Sequence, residues 1–423
     1  MGIFEQVITQ SSRKPEGLPG VIERRKTKRL PMLRASHAGL TSNRWDLEFI
    51  PAFGLVRLTN DIDALAKRSL DRNVFFEADV VNSAWPRLTS LLAPKGCWML
   101  CLWETIGEVR MLRLFMPVRL AFVGLPRRKV LQPLSNEFMP NGTPLIDAEC
   151  AEEATETLLR LLADPVLKMP TVIDFTHQIV GRSTFETMKT AAKRLGLEQA
   201  ESATHQRAAI RAASGHADYP RNVLKKKSLD EYARLLRRLG DQGEIVFHTA
   251  RKTEEVLDAF ERFLALELQG WKGRRGTALY NHRKIAAFSR QVVVELAARG
   301  RCEIHSLVSG ERLVSALILF HSEGHVVPWK ICFDEELARF SPGVQIMLHA
   351  TRSLLERDNF IGADSLAHEN HWMINRLWPD RVTVTDLAVQ LTSSRRLNVA
   401  DLVGAKEREQ RWKDVIKGWL RRN

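Results

Sequence analysis

Cys97-Trp98-Met99-Leu100-Cys101-Leu102-Trp103-Glu104 is followed by a turn at Gly107-Glu108 and a second apolar run over residues 109–120. Two apolar runs flanking a Gly-containing turn read as an antiparallel hairpin. The same order returns in the second half: 302–308, a turn at Gly310-Glu311, then 313–320. Each hairpin is preceded by two segments of helical period, 61–70 and 80–92 in the first half, 253–268 and 281–299 in the second. Asn60 or Asp61 is placed to cap the first, and Pro86 falls near the first turns of the next. Helix–helix–hairpin thus appears twice, about two hundred residues apart, with few shared identities, and the chain reads as a duplicated fold.

More α/β material follows each hairpin. In the first half a helix over 152–162, a strand over 171–175, a helix over 182–195 and a strand over 198–210 are expected. In the second, a strand over 325–333, a helix over 343–357 and a short strand over 361–365 are expected. This order implies an α/β (α+β) mixed sheet with helices on both faces. A chain of 423 residues exceeds one ordinary core, so two domains are expected. The reading is a basic, flexible segment over 1–44, domains over 45–214 and 215–394, and a basic amphipathic helix over 395–423. The helix over 222–239, with Lys225-Lys226-Lys227 and Arg234, Arg237 and Arg238, reads as a solvated face beside the join, or as a guide for an acidic substrate.

The net charge is +13, with 44% hydrophobic and 27% charged residues. Residues 1–34 hold eight Lys/Arg against three Asp/Glu, and residues 395–423 hold nine against four. The excess therefore sits at the ends and the body is nearly balanced, which weakens a nucleic-acid reading. Peripheral contact with an anionic membrane or an acidic partner is the role left to these ends. For the C-terminal helix, Val403, Trp412, Ile416, Trp419 and Leu420 lie at helical spacing, and docking against the body is expected ahead of a membrane surface. Five dispersed cysteines fit buried free thiols in a reducing compartment. The first thirty residues lack an apolar signal region and no run of eighteen apolar residues occurs, so a cytoplasmic protein is expected.

Chemistry points to the second half. Leu266-Glu267-Leu268-Gln269-Gly270-Trp271-Lys272-Gly273-Arg274-Arg275-Gly276-Thr277 ends a helix in glycines and cations around an indole, a composition suited to a ligand wall with phosphate contacts. Further on, Trp329-Lys330-Ile331-Cys332-Phe333-Asp334 closes a strand, and Ser341-Pro342-Gly343 opens a helix. Unpaired N–H groups at a helix start bind anions, Pro wastes no donor there, and Gly343 admits close approach. The bland alternative is a helix capped by Ser341. Lys330, in an apolar run, needs an anionic partner, either a carboxylate or a ligand group. On a strand it and Asp334 share a face, about 13 Å apart. His368-Glu369-Asn370-His371 lacks metal-site spacing, so no metal is expected, although His368 or Glu369 can serve as a base. No GxSxG, GxxxxGK[ST] or GxGxxG with a distal acid is present.

Leu266-Glu267, Gly270-Trp271-Lys272-Gly273, Gly276-Thr277-Ala278, Lys330, Asp334-Glu335 and Ser341-Pro342-Gly343 together resemble the GCN5-related N-acetyltransferase (GNAT) superfamily, and more closely the CelD/BioF2-like acetyltransferase group. The first half joins the resemblance through Asn73-Val74-Phe75-Phe76-Glu77, Gly142-Thr143-Pro144-Leu145 and Arg207-Ala208, so that it spans about 45–390. It implies tandem GNAT folds, similar to the Fem peptidyltransferases, with coenzyme A pyrophosphate held by a splayed strand and the next helix start. Against the superfamily loop Q/R-x-x-G-x-G/A, Gly343 matches, Ser341 replaces the middle glycine and Arg339 is one place late. The implied activity is direct acyl transfer from acetyl-CoA, or another acyl-CoA, to an amine, in polysaccharide or cell-envelope synthesis. Glu267 would recognise or deprotonate the amine, Trp271 would pack on acceptor or pantetheine, and Asp334 would act as base or order the loop. Lys272, Lys330, Ser341, Pro342 and Gly343 would hold the cofactor. The alternatives are a Fem-like transferase using aminoacyl-tRNA and a non-catalytic scaffold for exopolysaccharide assembly.

Overall fold

The computed structural model describes residues 34–36, 44–85, 87–88, 97–124, 127–393 and 397–420. Most of the basic 1–44 segment, Pro86 and the far end of the expected 80–92 helix lie outside them.

The first half runs β1 (Arg34–Ser36), β2 (Trp45–Pro51), α1 (Thr59–Arg68), α2 (Ala78–Ala84), β3 (Cys97–Ile106), β4 (Val109–Val123), β5 (Arg128–Pro133), β6 (Leu145–Ile146), α3 (Ala151–Leu162), β7 (Val172–Ile179), α4 (Ser183–Arg194) and β8 (Gln199–Arg211). The second runs α5 (Lys226–Gly240), β9 (Ile245–Ala250), α6 (Thr253–Gln269), α7 (Arg283–Ala298), β10 (Cys302–Ser309), β11 (Arg312–Ser322), β12 (His325–Phe333), α8 (Pro342–Leu355), β13 (Gly362–Asp364), β14 (Asp380–Gln390) and α9 (Val399–Leu420). The run from Cys97 to Glu104 is buried throughout as β3 and pairs antiparallel with β4; β10 and β11 repeat that pairing. The chain enters α1 directly from a 3-10 helix over Ala52–Leu58, so the helix starts at Thr59 with no side-chain cap from Asn60 or Asp61.

The described strands form one mixed sheet in the order β1-β2-β3-β4-β5-β7-β14-β8-β13-β12-β11-β10-β9, with β6 beside β4. From β2 and β9 inward the order is palindromic. The last strand of each half has crossed over: β8 pairs with β13, β14 pairs with β7, and the two pair with each other at the centre. Within each half one parallel pair occurs, β5 with β7 and β12 with β13. The α/β mixed-sheet class therefore holds, in two like-ordered halves. The exchange was not legible in the sequence, and β1, β2, β5, β6, β9 and β14 lie outside the expected strands. β14 is polar for much of its length, and its partners β7 and β8 lie far upstream, so no local turn announces the pairing.

Side-chain alternation along β11 divides the interior. Ala316, Ile318 and Phe320 enter a core shared with Phe75, Phe76 and Phe115 of the first half and Phe260, Phe263 and Phe288 of the second. Leu317 and Leu319 enter a second core with Ile346, Leu354 and Trp378. The first core crosses the join, and ion pairs reinforce it: Arg299 meets Asp63 at 2.7 Å and Asp79 at 3.1 Å, and Arg301 meets Glu77.

α9 departs from the expected docking. Val399 and Leu402 pack with Val130, Val172 and Ala388, and Lys406 reaches Asp174 and Asp386 at 2.7 Å. Farther along, Trp412 is 69% exposed and Ile416 51% exposed. The side chains of Trp419 and Leu420 lie outside the described set. Among the described residues no helix is long and apolar enough to cross a membrane.

Candidate functional site

β12 carries an irregularity that positions the site. Lys330 pairs with Ile318 but Pro328 pairs with Leu319, so Trp329 is an extra residue and the strand bulges. Trp329 packs on Phe320 and donates its indole N–H to the Phe138 carbonyl at 3.0 Å, a contact from the first half. Lys330 Nζ lies 5.0 Å from the Phe138 ring and 3.5 Å from the Glu137 carbonyl. Burial, and then the charge of Lys272, pull its amine down to about 8.

β12 pairs with β13 only at His325 and Val326; beyond them the two diverge. At the far end of β12 a cavity of about 420 Å³ opens between Ile331–Phe333, the end of α6, Gly343 and residues 371–373. Glu267 lies in its wall, buried. One carboxylate oxygen accepts from Lys272 Nζ at 2.7 Å, and the other from the Leu279 N–H at 2.8 Å. Lys272 also donates to the Ile331 carbonyl at 3.1 Å, so this pair ties α6 to β12. Both partners are thereby fixed in geometry, because a buried carboxylate left unpaired would be costly.

The glycine- and cation-rich run is a folded turn. The Lys272 carbonyl accepts from Thr277 N–H at 2.7 Å and Ala278 N–H at 3.1 Å. At Gly273 a Cβ would lie 1.7 Å from the Leu268 carbonyl oxygen, so only glycine fits. Trp271 is 44% exposed; its N–H donates to Glu335 at 2.7 Å and its ring lies beneath Arg275. Arg274 pairs with Glu335. Two cations of this run thus have protein carboxylates as partners.

α8 begins differently from a capped helix. Ser341 is left-handed (φ 55°) and makes no side-chain cap, which removes the Ser341-cap reading. Pro342 follows, its carbonyl accepting from Ser315 Oγ at 3.2 Å, and the first turn has no acidic residue. A Cβ on Gly343 would sit 3.4 Å from Met373 Sδ and 3.7 Å from the Phe333 ring.

The cavity therefore gathers Glu267, Trp271, Lys272 and Gly343. It does not gather Asp334, which caps the 3-10 turn over Glu335–Phe340 and pairs with Arg312 at 2.6 Å. Lys330 faces the Phe138 loop, and Ser341 and Pro342 stand behind Gly343 without lining the space. The sequence reading missed Glu335, Cys332, His371 and Met373 as wall residues. Cys332 offers no ready thiolate, because burial pushes its thiol well up. His371 is held below its usual value by burial and by His368, so its imidazole is neutral near pH 7. His368 and Glu369 line another cavity with His177 and Asp386. Among the described residues no three or more His, Cys, Asp and Glu side chains are grouped as a metal site. A further cavity of about 530 Å³ between the halves is rimmed by arginines, of which Arg251 and Arg357 pair with Glu303, and Arg301 with Glu77.

Residues 226–372 match the family described as Acetyltransferase (GNAT) domain, a span that contains α6, β12, the start of α8 and the whole cavity. No curated protein matches the chain. Among solved structures, the C-terminal domain of a putative lysylphosphatidylglycerol synthetase from Agrobacterium fabrum is similar at 11% identity, covering 84% of this chain and 95% of that one with a TM-score of 0.48. FemX is similar at 12% identity, covering 77% and 95%, with a TM-score of 0.49. A tandem GNAT protein from the clavulanic acid biosynthesis pathway is similar at 12% identity, covering 82% and 99%, with a TM-score of 0.39.

Proposed function

We propose that this chain, whose residues 226–372 form a GNAT-family acyltransferase domain, is an acyl-CoA-dependent N-acyltransferase acting on an amine. The observation that carries the reading is the cavity where the end of β12, the acid-free start of α8 and the Glu267–Lys272 pair meet. Gly343 would let the pyrophosphate approach the first turn of α8. The pantetheine arm would follow β12 toward the bulge at Trp329, with Trp271 covering the open side.

The chemistry asked of these residues is modest. The acceptor nitrogen attacks the thioester carbonyl, the carbon–sulfur bond breaks, and the thiol of coenzyme A leaves with a proton. Glu267 would attract the acceptor as an ammonium and orient it. The neutral imidazole of His371 would take one proton from that ammonium before attack, freeing the nitrogen lone pair, and the second proton leaves with the thiol. Lys272 holds Glu267 in place. Asp334 orders the turn before Ser341 and takes no part in proton transfer. Residues 45–214 and 215–394 are the two domains of this reading, with transfer assigned to the second. The five cysteines, all free, suit a reducing compartment.

Calorimetric titration with acetyl-CoA is the first test, followed by an amine library read by thiol release. Micromolar binding and amine-dependent thiol release support the transferase. Absence of binding to any acyl-CoA, with tight binding of aminoacyl-tRNA or of an anionic polysaccharide, replaces it with a Fem-like or scaffold role.

A further inference from the structure

The outer turns of α9 have no cover from the rest of the described protein. Trp412 is 69% exposed, Val415 65% and Ile416 51%. Positions i, i+3 and i+4 fall on one face of a helix, so these three form a continuous apolar strip. In sequence the strip continues with Trp419 and Leu420. The inner turns are fixed in contrast: Leu402 is fully buried, Arg128 pairs with Asp401 at 2.9 Å, and Lys406 is clasped by Asp174 and Asp386. The helix is thus anchored at its base, with its far end presented to the outside.

We infer that this end of α9 is a surface anchor that lies on an anionic lipid bilayer. Charge complementarity selects the occupant. From residue 408 onward the sequence carries Arg408, Arg411, Lys413, Lys417, Arg421 and Arg422 against Glu409 and Asp414. By sequence spacing alone, at about 100° per residue, positions 411 and 413 fall on the two sides of the strip, position 414 opposite it, and Glu409 between positions 416 and 413. Apolar positions bordered by basic ones on both sides, with a tryptophan among the apolar set, is the arrangement of a helix lying in the lipid interface. A second copy of the chain would instead bring two such cationic ends together, a repulsive pairing. The basic ends hold most of the chain's +13 charge, so an anionic surface attracts both. The inference is independent of the transferase reading, because it uses no residue of the cavity.

The test is flotation of the full chain with vesicles of phosphatidylcholine containing phosphatidylglycerol, against vesicles of phosphatidylcholine alone. Binding to the anionic vesicles alone, weakening as salt is raised, is expected. The double substitution Trp412→Ser with Ile416→Ser removes exposed side chains only, and should lower partitioning by about tenfold or more with an unchanged unfolding temperature. Arg411→Glu with Lys417→Glu should lower it on anionic vesicles as well. No flotation, equal flotation with both lipids, or full flotation of the Trp412/Ile416 variant overturns the inference. So does a dimer in solution that the same double substitution dissociates.

Discussion

The two parallel strand pairs of the sheet are built alike and finished differently. β5 meets β7 at one register position, Leu131 with Ile173, and β12 meets β13 at two. In the first half the segment leaving β5 turns back into the gap. Ser135 Oγ bonds Thr176 Oγ1 at 2.7 Å and His177 Nδ1 at 2.9 Å, and the Gly142 N–H points to the His177 carbonyl. The helix that follows, α3, has Glu152 and Glu153 in its first turn, just after the carboxylate of Asp147. In the second half the segment leaving β12 folds away into a 3-10 turn held by Arg312, and α8 starts without acid beside an open cavity. One scaffold thus gives a gap sealed by its own chain, with a start hostile to anions, and a gap left open, with a start that tolerates them. The sealing loop also serves the open half, since Phe138 supplies the carbonyl that holds Trp329.

The seal is the place to break this contrast first. A Cβ at Gly142 would lie 2.1 Å from the Thr176 carbonyl oxygen, backbone that cannot yield. Gly142→Ala should cost about 3 kcal/mol or more of stability, read by chemical denaturation. A variant as stable as the parent would show that the first gap is not closed by this approach.

For catalysis the larger expected effect is at Glu267. Glu267→Gln should lower turnover per folded molecule by about ten- to a thousandfold, with roughly 1 kcal/mol lost because Lys272 loses its ion pair. Loss of stability with turnover intact would make Glu267 a purely structural tie between α6 and β12. His371→Asn should lower turnover less, by about ten- to a hundredfold, and flatten the acid limb of the pH–rate profile. The sign follows from its depressed pKa: the imidazole is neutral above it and lost as a base only when pH falls through it. An unchanged acid limb would move the proton to another acceptor.

Gly343→Val sharpens the comparison at the open gap. Its neighbours Met373 and Phe333 lie at ordinary contact distance, so the fold should persist while acyl-CoA affinity falls by about tenfold. The parent should bind one acyl-CoA per chain by calorimetry. Two binding events would mean that the first half is not sealed after all.

The smallest effect concerns Lys330, whose amine is pulled down to about 8 from its usual 10.5. Between those values the unfolded chain keeps a proton that the folded chain has released, so its contribution to stability rises with pH. Lys330→Met should abolish that rise in unfolding temperature between about pH 8 and 10. A rise that persists in the variant would assign the titration to another group.

The hairpins were legible because the apolar runs at 97–104 and 302–308 and their Gly-Glu turns are local signals. So was the repeated order of helices before them; that Glu267, Trp271, Lys272 and Gly343 line one cavity agrees with reading a helix end in glycines and cations together with a Ser-Pro-Gly helix start. What the sequence could not determine was the exchange of β8 and β14, because strand pairing across the join depends on which edge is left unpaired when both halves have folded. Nor could it separate Asp334 from Glu335: adjacent carboxylates of one turn, they face Arg312 and the Trp271 loop respectively. The sealed and open gaps differ by where one loop lies, a choice made by Gly142 against Thr176 on a distant strand. The fate of α9 was likewise decided by tertiary structure: one helical pattern serves for a docked and for an exposed helix, and only the extent of the body beneath it buries Leu402 and leaves Trp412 exposed.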